Sequence, residues 1–346
     1  MALVSVIIPA YNAQETLRET VLSALAQTHK DLEVIIVNDG SSDNTLAIAQ
    51  DLAARYPNVQ AITQKNAGVA VARNTAIAAS KGDYIAPLDA DDLWHPLRIE
   101  LQLKAIKARG GKTALAYSPF YNTRQDGMIT GASDVFDVNG EAFKIQIRRN
   151  LVGNGSGFLA TRAAVLDVGG YSPELQKYQA QGCEDLMIQM EIARKYEYVS
   201  VPYYLILYRL YDGNMSSNNA RMLRSRILML SHFEKTCPEH RKALHLFRME
   251  LMARLAFHLL NRRKFKEFDA VFVSQISNIK DILYFCCLFC WVTVENILKK
   301  IWKYSKLLVG HKYPPKKNVY LHDIASLPPA TNENVRSYFE KLRVEQ

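Results

Sequence analysis

Apolar runs and segments of helical period alternate along the first ~115 residues. Strand-like runs fall near 3–9, 32–37, 58–63, 83–88 and 113–117, and helix-like segments near 14–27, 43–56, 68–80 and 95–109. That alternation predicts βαβ units and a mostly parallel sheet. Residues 118–150 break the rhythm. Turn signals at Gln125-Asp126-Gly127 and Val138-Asn139-Gly140 predict an insertion of short strands or loop. A strand over 154–159, a helix after Arg162, a helix over 184–196 and strands near 198–202 and 204–210 follow. From 220 to about 308 the pattern is helical, with few Gly or Pro. Tyr313-Pro314-Pro315 breaks it, and 318–332 reads as loop. The expected organisation is a domain over 1–220, a basic helical region over 221–310 and a tail over 311–346 with a short helix.

Each strand end in the alternating part carries its own polar or aromatic group. Tyr11 follows the first strand and its Pro9; Asp39-Gly40-Ser41-Ser42 follows the second; Lys65 and then Arg73 follow the third; Asp89-Ala90-Asp91-Asp92 follows the fourth. Ligands of open parallel sheets bind outside the carboxyl ends of the strands. Two carboxylates one residue apart suit a hard divalent cation such as Mg²⁺ or Mn²⁺, although a lone Asp-x-Asp is more often a solvated turn. Tyr11 offers a planar contact for a base, Asp39 an acceptor for an imide N–H, and Arg73 a permanent charge able to make several bonds. The first turn lacks the Gly-x-Gly-x-x-Gly of dinucleotide-binding dehydrogenases. Nor is it the Gly-rich basic loop of a nucleotidyltransferase.

Pro9-Ala10-Tyr11-Asn12, Val37-Asn38-Asp39-Gly40-Ser41-Ser42-Asp43, Asn66-Ala67-Gly68 with Ala72-Arg73-Asn74, Asp89-Ala90-Asp91-Asp92, Gly169-Gly170-Tyr171 and Glu184-Asp185 together resemble the family 2 glycosyltransferases over roughly residues 3–217. The resemblance implies an α/β, Rossmann-like three-layer GT-A fold with a mostly parallel central sheet and a helical C-terminal region. It implies an inverting transfer from a nucleotide-sugar donor, UDP-linked above all, to a glycan or lipid-linked acceptor in bacterial polysaccharide or lipopolysaccharide assembly. It assigns Pro9, Tyr11, Asp39, Lys65, Arg73 and Asp89 to the nucleotide, Asp91 with Asp89 to the metal, Asp185 as general base, and Glu184 to the acceptor. Many relatives close the domain with Tyr-Arg-x-His; Tyr208-Arg209-Leu210-Tyr211 puts Tyr211 in the histidine's place. That departure leaves a catalytically inactive, membrane-associated partner as the first alternative reading, ahead of a nucleotidyltransferase.

Composition, 49% hydrophobic and 22% charged, is that of an ordinary globular chain. Its formal charge of +9 is unevenly spread. Residues 1–220 hold 20 Lys and Arg against 23 Asp and Glu, whereas 221–346 hold 23 against 11. Nucleic acid and an anionic membrane both attract such a segment. The thirteen-residue apolar run over 282–294 favours the membrane over nucleic acid. It is short of the ~20 residues that span a bilayer. With Lys299, Lys300, Lys303 and Lys306 it describes either an interfacial helix or a core helix with a solvated face. Five cysteines, three of them inside the apolar run, read as buried thiols of a reducing compartment rather than disulfides or a metal site. His29 and His95 read as surface residues. Met1-Ala2-Leu3-Val4 lacks a basic region, so no secretory leader is expected. The expected location is cytoplasmic, at most peripheral on the inner face of the membrane.

Overall fold

The computed structural model describes residues 2–178, 180–211, 218–264, 267, 279–308 and 319–320. Chain contacts divide it into two compact units: Met1–Pro173 with Glu184–Tyr211 and Asn318–Gln346, and Glu174–Cys183 with Asp212–Lys317. The tail helix expected within 311–346 lies outside the described residues.

The first unit opens with the expected alternation: β1 (Val4–Ala10), α1 (Leu17–Leu25), β2 (Leu32–Asp39), α2 (Thr45–Arg55), β3 (Val59–Gln64), α3 (Val69–Ala79) and β4 (Tyr84–Pro87). β5 (Leu93–Trp94), α4 (Arg98–Arg109), β6 (Thr113–Tyr117), β7 (Phe120–Thr123), β8 (Met128–Ala132) and α5 (Phe143–Arg148) follow. Then come β9 (Phe158–Thr161), α6 (Arg162–Asp167), α7 (Glu174–Lys177, in the second unit), α8 (Glu184–Lys195), β10 (Glu197–Ser200), β11 (Ile206–Arg209) and, after the second unit, β12 (Val319–Tyr320).

Seven strands form one sheet in the order β10-β6-β9-β4-β1-β2-β3. β9 runs antiparallel to both neighbours, and every other pair is parallel. All seven residues of β1 are buried, as expected for a central strand covered on both faces. α3 packs on β1 and β2; Ala70, Ala72 and Ala76 on its buried side let it approach closely. Strand order reverses direction of travel at β1, between β2 and β4, so the loops after those strands open one crevice.

A second sheet, β12-β8-β7-β11-β5, gathers the insertion and the late strands. Its members are only two to five residues long and non-local in sequence, which is why periodicity does not foretell it. Val319–Tyr320 pairs antiparallel with β8, where a loop was expected. The strand expected over 154–159 begins only at Phe158. Residues 154–157 are instead a loop, pinned where the Gly157 carbonyl accepts from the Ser118 amide (3.1 Å) and Gln102 Nε2 (3.1 Å). His95, expected at the surface, is buried. Its amide donates to the Leu205 carbonyl and its Nδ1 accepts from the Leu97 amide, and burial lowers its pKa to about 4.

In the second unit α9 (Asn219–Thr236), a 3₁₀ turn at Pro238–His240 and α10 (Arg241–Asn261) form a helical hairpin, and α11 (Ile279–Leu308) packs on α10. Buried α10 positions such as Leu244, Phe247, Met249, Leu251 and Leu255 fall all round its axis, as suits a helix with partners on two sides. Arg248 and Glu234 form a largely buried ion pair across the hairpin at 2.5 Å. Cys183 and Cys237 are buried. Cys286, Cys287 and Cys290 are exposed, contrary to expectation, because over the described side chains of 285–299 the buried side of α11 is the one marked by Phe285 and Val292.

Candidate functional site

The loops after β1, β2 and β3 are laced by short polar side chains. Asn12, in the left-handed region at φ 48, donates its amide to Ser41 Oγ and accepts the Ser42 amide on Oδ1. Asp43 accepts from Thr45 and from the Gln14 amide; burial opposes its charge, but these donors hold its carboxyl below the usual range. Asp39, buried, takes three donors: Gln64 Nε2 (2.7 Å) and the amides of Ala67 (2.9 Å) and Gly68 (2.8 Å). Those amides open α3, where a carboxylate is favoured by the exposed N–H groups and the helix dipole. Gly68 sits at φ 85, which explains the glycine there. Around this scaffold Tyr11 is 55% exposed, and Lys65 is exposed on the loop before α3. Pro9 is buried within β1, paired with Val37.

The acids on the other side of the crevice are arranged differently. Arg73, on α3, is buried and ion-paired with Asp89 Oδ1 at 2.5 Å and Asp185 Oδ1 at 2.7 Å. Its guanidinium lies 5.0 Å from the Tyr171 ring centroid. Burial opposes the charge on Arg73, but the two carboxylates outweigh it and raise its pKa. Tyr171 is set by Asn74, which donates to the Tyr171 carbonyl (2.7 Å) and accepts from its amide (2.8 Å). Thus Ala72-Arg73-Asn74 and Gly169-Gly170-Tyr171, 97 residues apart, act as one bracket.

Asp89 and Asp185 each keep about a quarter of their side-chain surface open, 26% and 24%. A Cβ placed on Gly155 would come within 2.8 Å of Arg73 Nη2, 2.8 Å of Asp89 Oδ2 and 3.0 Å of Asp185 Oδ2. The backbone of Gly155 therefore lies directly against all three charges. Asp185, first turn of α8, is pushed up to about 7: burial and the charges of Asp89 and Glu184 outweigh the pull of Arg73. Glu184 is 3% exposed.

Asp91 accepts from the Tyr211 hydroxyl at 2.9 Å. Burial, then the neighbouring Asp89, raises its carboxyl to about 6. Asp92 is fully buried and serves as an anchor: it accepts from Ser156 Oγ (2.6 Å) and the Arg209 amide (3.1 Å). Ser156 in turn accepts the Asp89 amide (3.0 Å), and its carbonyl accepts Trp94 Nε1 (3.0 Å). From the α1 side, Thr16 and Thr20 hydroxyls both donate to the Ala90 carbonyl. The acid loop is thus fixed from β11, α1 and the 154–157 loop. Sequence reading gave Gly155 and Ser156 no role and named Asp92 only as the end of its acid quartet; the structure sets all three against the acid loop.

A divalent cation suits this chemistry. Asp91 is a half-buried carboxylate beside Asp89, and hard oxygens suit Mg²⁺ or Mn²⁺. Among the described residues no three His, Cys, Asp or Glu side chains converge as a complete cage. Further ligands would have to be substrate oxygens or water.

Comparisons with known proteins agree with the fold. The profile of Glycosyl transferase family 2 matches residues 5–167. Chondroitin synthase of Pasteurella multocida (strain Pm70) is 42% identical over 127 residues, 37% of this chain and 13% of that protein. The UDP-Glc:alpha-D-GlcNAc-diphosphoundecaprenol beta-1,3-glucosyltransferase WfaP of Escherichia coli is 41% identical over 134 residues, 38% of this chain and 51% of that one. The chain therefore spans about half or less of the length of these relatives. The same fold recurs in S. aureus TarS 1–349 in complex with UDP-GlcNAc (TM-score 0.54, 17% identity, 83% of this chain and 79% of that one). It recurs also in the mannosyltransferase PcManGT of Pyrobaculum calidifontis with GDP-Man and Mn²⁺ (TM-score 0.52, 16% identity, 86% and 87%). Residues 5–167, a little under half of the chain, thus match the Glycosyl transferase family 2 profile, with the motif order and the fold in agreement.

Proposed function

We propose that the chain transfers a sugar from a UDP-linked donor to a hydroxyl of a glycan or lipid-linked acceptor, inverting the anomeric centre. The observation that carries this reading is Arg73 bridging Asp89 and Asp185, with Asp91 alongside. Asp185, with a pKa of about 7, is a proton acceptor matched to neutral pH, and it takes the acceptor hydroxyl's proton as that oxygen attacks. Arg73 fixes its carboxylate through Oδ1, and Glu184, buried beside it, adds negative charge that favours its taking a proton. Tyr11 presents its ring to the base. Asp39 Oδ2, with one donor, retains a lone pair for the imide N–H. Lys65 is assigned to the nucleotide as a second cation on that side. When bound by Asp91 and Asp89, a divalent cation would neutralise charge on the departing diphosphate.

The UDP and UDP-GlcNAc complexes of TarS and the UDP-Glc named for WfaP support uridine, while GDP-Man in PcManGT makes guanosine the competitor to exclude. This reading sets the reaction on the cytoplasmic side of envelope polysaccharide assembly, at an anionic membrane surface. Calorimetric titration with UDP, GDP and CDP, with and without Mn²⁺, on wild type and Asp91→Asn tests it. UDP binding that requires Mn²⁺ and is lost in the variant is expected. A folded protein that binds no nucleotide would turn the reading to an inactive family member.

A further inference from the structure

α11 is amphipathic in an unusual sense. Over residues 286–298, the positions exposed to solvent are Cys286, Cys287, Cys290, Trp291, Val294, Ile297 and Leu298, with no charged side chain among them. The one charge in that stretch, Glu295, is half-buried at the edge of the stripe, paired with Arg254 of α10 at 3.3 Å and with Lys299. Arg254 also lies 5.3 Å from the Trp291 ring centroid. Trp291, Val294, Ile297 and Leu298 are 49–58% exposed, at the spacing of one helical stripe. A contiguous apolar stripe of this kind marks an interaction surface.

We propose that this outward face of α11 docks, lying flat, onto an anionic lipid surface. Three observations choose that occupant. No described helix is long and apolar enough to cross a membrane, so contact must lie in the interface plane. In sequence the stripe is followed by Lys299, Lys300, Lys303 and Lys306, so apolar surface and the positive charge that attracts anionic headgroups lie on one helix. A second copy fits poorly, because residues 221–346 hold 23 basic against 11 acidic side chains, and two such surfaces repel. The three thiols on the stripe, Cys286, Cys287 and Cys290, serve as built-in reporters.

The test uses the full chain in flotation with phosphatidylcholine vesicles, with and without phosphatidylglycerol, and a water-soluble maleimide as probe of the thiols. Partition into anionic vesicles should exceed that into neutral ones by about tenfold or more and weaken in high salt. Binding should shield the three cysteines from the maleimide. Leu298→Asp alters an exposed side chain, so its circular dichroism and melting should match wild type while partition falls about tenfold. Three results would overturn the proposal: no vesicle binding; binding unchanged in Leu298→Asp; or a concentration-dependent dimer that Leu298→Asp disperses, which would assign the face to a second copy. None of these readouts depends on the nucleotide site.

Discussion

The two walls of the crevice use carboxylates in opposite ways. Asp39, on the β2 side, is fed by three donors and holds the start of α3 in place. Asp91 and Asp185, on the β4 and α8 side, are crowded by other acids and pushed up to about 6 and 7. A satisfied acid stabilises the scaffold. An under-satisfied one stores free energy that a proton, a cation or a substrate can release. Arg73 is where the two walls meet, since it rises from the helix that Asp39 caps and divides its charge between Asp89 and Asp185.

Removing Arg73 should break this contrast most severely. In Arg73→Leu, Asp89 and Asp185 face each other without a countercharge. Loss of one partner from a buried pair costs about 3–5 kcal/mol; the carboxylates here are partly open, so about 3 kcal/mol is expected from urea unfolding. An unchanged midpoint would mean that water already compensates the acids. Asp185→Asn acts on chemistry instead: transfer should fall by about 10²-fold or more while UDP binding stays within a few-fold. The wild-type rate should rise with pH through about 7 as Asp185 loses its proton, and the variant should lose that limb. Stability should move the other way. Both folded-state values lie above the ordinary 3.8, so the folded protein binds the extra protons. Stability without ligands should therefore decline from about pH 4 towards pH 7. Asp185→Asn should flatten that decline.

The residues that line the two walls were legible before the structure; the contrast between the walls was not. Tyr11, Asp39, Arg73, Asp89, Asp91 and Asp185 each follow a strand end or open a helix, and local pattern reveals such positions. What was illegible depends on long-range contact. That Asp39 is filled by the α3 amides, or that Ser156 ties Asp92 to Asp89, requires segments 28 to 67 residues apart to meet. The second sheet failed for the same reason. The cysteines of 286–290 misled because an apolar run identifies a face without saying which side has a partner.

Gly155 tests whether the under-satisfied wall needs its open space. Gly155→Ala puts a methyl within 3.0 Å of three charged atoms. Overpacking of this kind costs about 1–3 kcal/mol. Because the Arg73 and carboxylate ends must shift, transfer should fall by about tenfold or more, with a smaller loss in UDP binding. Equal losses in both would place the methyl against the nucleotide rather than the reacting centre.

The finest adjustment is Tyr211, whose hydroxyl is the donor recorded on Asp91. That bond favours the charged carboxylate and pulls against burial and Asp89, which raise it to about 6. Tyr211→Phe removes the donor and keeps the ring, so the Asp91 pKa should climb further. A hydrogen bond to a charged group, about 1.5 kcal/mol at the low end for this exposed phenol, corresponds to roughly one pH unit. The readout is the pH midpoint of Mn²⁺ binding in the presence of UDP, since proton and cation compete for one carboxylate. A midpoint displaced upward by that amount, with affinity at high pH held or improved, makes Tyr211 a modulator of the acid. A large loss of affinity at every pH would instead make the phenol part of the cation's own surroundings, in the place where many relatives carry histidine.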